Sequence, residues 1–148
     1  ILNDLRSILQ PYLAIIFTNA KEKAEIVATN LQKNNVDVTI LHGGLTPRER
    51  NRNLKKIHHL ECQYIVATDL ASRGIDIKGV SHVINLELPK EEHFYVHRAG
   101  RTARAGMDGD VISIYDEQDI SLIKKLENKG IHFQYVEVKN RQWETVRE

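Results

Sequence analysis

The segment with the clearest chemical signature is arginine-rich and spans residues 97–106. Arg98, Arg101 and Arg104 recur there at every third position. A guanidinium stays charged at neutral pH, and its planar fork of N–H donors matches the oxygens of a phosphate group. Complementing the dipole of a preceding helix would account for Arg98, but not for the arginines beyond Gly100. The spacing therefore predicts a loop that binds phosphate.

A second polar segment, residues 68–76, directly follows an apolar run. The Thr68 hydroxyl is suited to donate a hydrogen bond to a phosphate oxygen, and the Asp76 carboxylate to accept one from a ribose hydroxyl. A plain loop is the alternative, with Asp69 capping a short turn and Gly74 adopting a positive φ. The residue types alone leave both interpretations open.

Two more apolar runs end in groups that can hold phosphate. Gly43 and Gly44 precede a helix start, where exposed backbone N–H groups favour an anion. The helix that follows carries Arg50 among several basic residues, although such a run is often only a solvated helix face. Asn19 closes the first apolar run, and helix capping is its alternative role.

All of these groups depend on the elements that precede them. The apolar runs are mostly continuous, which is typical of parallel strands covered on both faces, and helical patterns separate them. This alternation predicts an α/β fold in which ligands gather at the carboxyl ends of the strands. The predicted strands are 13–17, 36–41, 64–67, 80–86, 111–115 and 133–138, and the predicted helices are about 20–33, 46–60, 91–98 and 116–130.

Capping signals mark the starts of three of these helices. Thr46 and Glu49 have the spacing of a capping box, with Pro47 at the first helical position. Asn19 and Glu22 form a similar pair before the first predicted helix, and Asp116 is placed to cap the last one.

Composition excludes several classes of protein. A chain of 148 residues suits one domain, and its net charge of +1 excludes a broadly basic binder, so any nucleic-acid site must be a local patch. The single cysteine, Cys62, excludes an internal disulfide and is expected in the core. We expect no metal site, no membrane span and a cytoplasmic location. Because the chain begins at Ile1, it is interpreted as a fragment.

Together these residues resemble the C-terminal, or second, RecA-like domain of a bacterial DEAD-box ATP-dependent RNA helicase. Residues 16–19 resemble the family's fourth motif, residues 67–76 the fifth, and residues 95–104 the sixth. The segment 41–43 with Arg50 resembles the stretch after the fourth motif. The resemblance covers nearly the whole chain and implies a single three-layer RecA-like domain over residues 1–148, with helices on both faces of a mostly parallel sheet.

The resemblance implies a role for each site residue. Arg101 and Arg104 would be arginine fingers that reach the γ-phosphate of ATP, and Asp76 would hold the ATP ribose. His97 and Arg98 would couple the ATP site to the RNA side and to the partner domain.

The residues expected to grip RNA phosphates are Asn19, Gly43, Arg50 and Thr68. ATP and Mg²⁺ would be held mainly by an N-terminal RecA-like domain of the same protein, which this chain lacks. The chain alone is therefore expected to be inactive, and its expected partners are RNA and that first domain.

The sequence departs from the family pattern at two positions. Pro47 stands where a Gln is usual, which removes an amide near the RNA side, and Ala103 replaces the commoner Gly. Two other classes remain open at this point. A DNA helicase or translocase of the same superfamily shares the arginine loop, and a non-enzymatic binding module shares the fold but is expected to lose Arg101 or Arg104.

Overall fold

The computed structural model describes residues 2–102, 109–139 and 142–145. Five strands form its main sheet, and every neighbouring pair is parallel. These strands are β1 (Ala14–Phe17), β2 (Val38–Leu41), β3 (Tyr64–Ala67), β4 (His82–Asn85) and β5 (Asp110–Ser113). Their spatial order is β2-β3-β1-β4-β5, with β1 at the centre. The α/β prediction with a parallel sheet is confirmed.

Helices occupy the connections between the strands. They are α1 (Leu2–Leu9), α2 (Lys21–Lys33), α3 (Pro47–His58), α4 (Asp69–Ser72), α5 (Glu92–Ala99) and α6 (Ile120–Asn128). A 3₁₀ turn over Glu117–Asp119 leads into α6. Each predicted helix is present, with its ends moved by at most four residues.

Alternate strand residues point to opposite faces of the sheet, and both faces are covered. On one face Ile16 packs with Leu31 of α2, and on the other Ile15 packs with Ile57 of α3. All four of these side chains are almost fully buried. This two-sided burial explains why the strands appear in the sequence as continuous apolar runs. Cys62 is buried in the core, as predicted, and burial raises the pKa of its thiol.

Both ends of the chain differ from the prediction. Helix α1 was not predicted; it buries Leu5, and Leu2 and Leu9 pack against the core around α2. The last predicted strand begins three residues later, as β6 (Val136–Lys139), and pairs antiparallel with β7 (Gln142–Thr145) in a separate hairpin. Strands joined by so short a connection pair antiparallel, and β6 pairs with β7 rather than with the parallel sheet.

The predicted capping box at the start of α3 is confirmed. Thr46 Oγ1 accepts a hydrogen bond from the Glu49 amide at 3.1 Å, and Glu49 Oε1 accepts one from the Thr46 amide at 3.0 Å. The bonds with Thr46 hold the pKa of Glu49 below its usual value. Asp116 also caps as predicted, because its carboxylate accepts the Gln118 amide at the 3₁₀ turn.

The predicted cap of α2 is wrong. The residue before this helix is Ala20, and no side chain caps the first turn. The Asn19–Glu22 pair therefore does not start the helix, and the Asn19 side chain is used elsewhere, as described below. None of the helices within the described ranges combines the length and apolar character needed to cross a membrane.

Replacing Thr46 by Ala removes the acceptor of the Glu49 amide, and we expect the free energy of unfolding to fall by about 1 kcal/mol. Thr46→Ser keeps the hydroxyl and serves as the control in denaturant unfolding. Since the pKa of Glu49 is lowered in the folded state, its share of this stability is present at neutral pH. That share is lost as the pH falls through the lowered pKa. If the Thr46→Ala protein were as stable as the parent, the stabilising role of the capping box would be contradicted.

Candidate functional site

The polar residues singled out in the sequence converge on the carboxyl edge of the main sheet. Asn19 follows β1, Gly43 follows β2, and Thr68 follows β3. Asn85 is the last residue of β4, and α5 brings Arg98 to the same edge. Because carboxyl ends of parallel strands share one edge, residues far apart in sequence become neighbours here.

Arg98 is the centre of this edge. Its side chain is only 1% exposed, and its guanidinium makes five hydrogen bonds. Nε and Nη2 reach the two carboxylate oxygens of Asp69 at 2.7 and 2.8 Å. Nη1 donates to Asn85 Oδ1 at 3.2 Å and to the Glu87 carbonyl at 2.7 Å. Nη2 also donates to Asn19 Oδ1 at 2.8 Å. These bonds use every N–H that a guanidinium offers.

The surroundings of Arg98 explain how the fold tolerates a buried charge. The Asp69 carboxylate is bidentate to the guanidinium, and the Phe17 ring lies with its centroid 5.0 Å from the Arg98 Cζ. A buried ion without such partners would be strongly destabilising. Since protein acceptors take all its donors, Arg98 has no N–H left to donate to a phosphate. The explanation of Arg98 by the helix dipole alone is insufficient.

Asn19 is the second link across this edge. Its Nδ2 donates to the Leu88 carbonyl at 3.0 Å, while its backbone N–H donates to Glu87 Oε1 at 3.0 Å. Together with the bond from Arg98, these contacts fasten the end of β1 to the connection between β4 and α5. They replace the capping role that the sequence suggested.

An open cleft of about 470 Å³ lies on one side of the Arg98–Asp69 pair. Asp76, His97 and Arg101 line it, so three of the residues assigned to ATP or to coupling meet there. Arg101 donates to the Ile75 carbonyl from Nη1 and to the Ser72 carbonyl from Nη2, both at 2.6 Å. We call this cleft the arginine cleft. Arg104 lies outside the described residues.

The turn over residues 72–75 forms a wall of the arginine cleft. Gly74 has a φ of 77° within it, the positive value expected for the loop interpretation of this segment. The loop interpretation also had Asp69 capping a short turn, but the Asp69 side chain pairs with Arg98 instead. Asp76 is exposed at the end of this turn, where a ligand can reach its carboxylate.

A second depression, of about 380 Å³, lies on the other side of the pair. Asn19, Gly43 and Thr68, three of the predicted RNA-binding residues, line it together with Lys21 and Lys90. We call it the lysine depression. The two lysines add positive charge to this surface, and the Asp69 carboxylate that also lines it is paired with Arg98.

Arg50 is the predicted RNA-binding residue that does not line the lysine depression. Its Nη1 donates to the Ala71 carbonyl at 3.2 Å, so it braces α4 from α3. Asp69 and Phe94, in contrast, line both the arginine cleft and the lysine depression. The wall between the two sites therefore comes from α4 and α5, which the Arg98–Asp69 ion pair joins.

The diglycine turn after β2 differs from the sequence prediction. The Gly44 N–H donates to His42 Nδ1 at 2.9 Å, so it does not point its donor at a ligand. The expectation that both glycines offer N–H groups to phosphate is wrong for Gly44. It can hold only for Gly43.

Four residues of this site were not assigned roles from the sequence: Lys21, Asn85, Lys90 and Phe94. Asn85 carried a usable signal, because it is a polar residue that ends an apolar run, like Asn19. Phe94 and the two lysines gave none, since half-exposed aromatic residues and surface lysines are common outside sites as well.

Comparison with known sequences identifies relatives. The chain matches the family described as "Helicase conserved C-terminal domain" over residues 1–106. It is 52% identical over 143 residues to the DEAD-box ATP-dependent RNA helicase CshB of Bacillus subtilis, a match that covers 97% of this chain and 33% of that protein. CshB of Staphylococcus aureus is 44% identical over 144 residues, with 97% and 32% covered. The chain thus spans about a third of the length of these curated relatives.

Solved structures share the fold. The E. coli DEAD-box protein SrmB, solved bound to regulator of ribonuclease activity A, has a TM-score of 0.78 and 34% identity, covering 86% of this chain and 75% of that one. Dbp5 of S. cerevisiae, solved with RNA and ADP BeF3, has a TM-score of 0.79 and 30% identity, covering 86% and 34%. These matches confirm the predicted RecA-like architecture.

The bonds of Arg98 predict a large effect of substitution. Arg98→Met leaves the Asp69 carboxylate buried against an apolar side chain, and we expect a loss of about 3–5 kcal/mol in the free energy of unfolding. Arg98→Lys keeps the charge but has fewer donors and no planar fork, so it should recover only part of this. Arg48→Met, at an exposed arginine, should change stability by less than about 0.5 kcal/mol. Chemical denaturation of all three variants measures these changes. If Arg98→Met and Arg98→Lys were both as stable as the parent, the structural role assigned to Arg98 would be overturned.

Proposed function

Since the chain belongs to the helicase C-terminal domain family and is the C-terminal domain of a DEAD-box RNA helicase, we propose that it works as the second of two RecA-like domains in an ATP-dependent RNA helicase. In this proposal the arginine cleft receives ATP and the lysine depression receives single-stranded RNA. The observation that supports it most is the sorting of the predicted residues. Asp76 and Arg101, the described residues assigned to ATP, line one site, and most of those assigned to RNA line the other, on either side of one ion pair.

On the ATP side, the exposed Asp76 carboxylate accepts hydrogen bonds from the ribose, and Arg101 faces the γ-phosphate. The Ile75 and Ser72 carbonyls already orient the Arg101 guanidinium, and such preorganised charge is effective in stabilising a transition state. We assign Arg104 the same role from its place in the arginine-rich segment. A first domain outside this chain holds most of the ATP and its Mg²⁺, which neutralises charge on the phosphates.

On the RNA side, Gly43 is the residue with the clearest reason to touch a ligand. A Cβ at this position would meet nothing within 4 Å, so the fold itself does not require a glycine there. Close approach of an RNA backbone would require one. The Thr68 hydroxyl and the Asn19 amide add polar contacts, Arg50 binds phosphate from α3, and Lys21 and Lys90 supply charge. Contacts to phosphates carry no sequence information, so RNA binding and the local unwinding that it supports are only weakly sequence-selective.

The wall shared by the two sites offers a route for coupling. Asp69 and Phe94 touch both sites, and Asp69 is held by Arg98. His97 is exposed at the arginine cleft, one residue before Arg98. When ATP draws the two domains together, a shift of α5 at His97 is transmitted through the Arg98–Asp69 pair to the RNA side.

The arginine fingers are tested in the intact two-domain protein. Arg101→Ala or Arg104→Ala should lower kcat by roughly 10³–10⁵-fold while changing the KM for ATP little, because the arginines act on charge that develops in the transition state. Arg101→Lys should rescue poorly, since it lacks the planar fork. RNA-stimulated phosphate release is the measurement.

Two controls accompany this experiment. Arg48→Ala, at an exposed residue of α3 outside the proposed sites, should leave kcat nearly unchanged. The isolated chain should show no turnover at ordinary enzyme rates. Wild-type hydrolysis by Arg104→Ala with RNA bound would remove that residue from the mechanism. Stimulation by DNA rather than RNA would favour a DNA translocase.

The RNA assignment makes a separate prediction. Gly43→Ala should raise the KM for RNA about tenfold, because the added methyl group stands where the RNA backbone approaches. The factor should be the same for RNAs of different sequence, since phosphate contacts carry no sequence information. The temperature of thermal unfolding should not fall, since the methyl group meets no protein atom within 4 Å and alanine restricts the unfolded chain more than glycine does. Thr68→Val should also raise the KM for RNA. A change confined to one RNA sequence would indicate base recognition and contradict the proposal.

A further inference from the structure

The two glycines after β2 have different surroundings. A Cβ on Gly44 would lie 3.0 Å from His42 Cε1 and 3.2 Å from His42 Nδ1, so the imidazole ring occupies the space beside this glycine. A Cβ on Gly43 would meet nothing within 4 Å, and Gly43 lines the lysine depression. Gly44 therefore lies against the His42 ring, whereas Gly43 faces the site.

The hydrogen bonds of His42 define its tautomer. The Gly44 amide can only donate, and it lies 2.9 Å from Nδ1, so Nδ1 is an unprotonated acceptor. The proton then resides on Nε2, which donates to Glu25 Oε1 at 2.6 Å. The His42 side chain is 6% exposed, whereas Glu25 is 56% exposed on α2. His42 thus links the outer face of α2 to the turn between β2 and α3 through one buried ring.

We propose that His42 is a positioning residue of the RNA site, which in its neutral Nε2–H form holds the Gly43–Gly44 turn so that the Gly43 amide meets an RNA phosphate. The inference rests on the proposed RNA role of the lysine depression. His42 does not touch RNA in this proposal; it acts through Gly44. Its partner Glu25 fixes the ring orientation from α2.

Two further observations support this role. Within residues 2–102, 109–139 and 142–145, the Gly43 N–H has no protein acceptor, so a phosphate oxygen can take its hydrogen bond. A diglycine turn is also costly to order, because glycine has more backbone freedom than any other residue. A buried ring that fixes one of the glycines lowers the ordering cost that RNA binding would otherwise carry.

The test compares substitutions that keep or remove each hydrogen bond in the intact protein, with single-stranded oligouridylate as the RNA. His42→Asn retains an oxygen that can accept the amide two residues ahead, whereas His42→Phe retains a ring without an acceptor. We expect His42→Phe to raise the KM for RNA about fivefold to tenfold with little change in the KM for ATP, and His42→Asn to remain within about threefold of the parent.

Glu25 provides a second pair of variants at an exposed position, where folding is not at risk. Glu25→Gln keeps an acceptor for the His42 Nε2–H, and Glu25→Leu removes it, so only the second should weaken RNA binding. Nitrogen NMR of the labelled histidine should show the Nε2–H tautomer. An Nδ1–H tautomer or an imidazolium would overturn the proposal.

The outcomes separate this inference from the proposed function. If Thr68→Val weakens RNA binding and both His42→Phe and Glu25→Leu do not, the RNA site stands and the positioning role is overturned. Equal losses for His42→Asn and His42→Phe would also overturn it, because the acceptor would then be irrelevant. If Thr68→Val and Gly43→Ala both bind RNA normally, the RNA site itself is wrong, and the role of His42 falls with it.

Discussion

A single buried guanidinium constrains the whole functional edge of this domain. Because every donor of Arg98 must be satisfied away from water, Asn19, Asp69 and Asn85 are held at fixed positions around it. These residues stand at or just beyond the ends of β1, β3 and β4. Because the buried charge needs all of these partners, it holds three neighbouring strand ends in a fixed arrangement. Both candidate sites are built from these strand ends.

The same ion pair gives the two sites their relation to each other. Asp69 belongs to the wall of each site, so neither the arginine cleft nor the lysine depression can change shape there without disturbing its bonds to Arg98. Interdigitated, fully bonded groups of this kind tend to have discrete arrangements rather than continuous ones. This property suits a domain proposed to sense ATP at one site and RNA at the other.

Local patterns predicted the parts of the fold that local physics determines. Continuous apolar runs indicated the parallel strands because both faces of the sheet are buried, and the Thr46 capping box is complete within four residues. The expected cap of α2 by Asn19 was wrong because the contacts of Asn19 lie 68 to 79 residues away in the sequence. The role of Gly44 was likewise invisible, since it depends on where the His42 ring packs. Most of the predicted site residues lie together because the carboxyl ends of parallel strands meet at one edge of the sheet.

The β6–β7 hairpin differs from the rest of the chain in its strand pairing and its exposure. It pairs only with itself among the described strands, and nearly all of its residues are exposed. Neither candidate site draws a lining residue from it. A change in the length or surface residues of this hairpin therefore alters no residue that lines either candidate site. It is a suitable insertion point for an added peptide or reporter, because none of its described residues lines either candidate site.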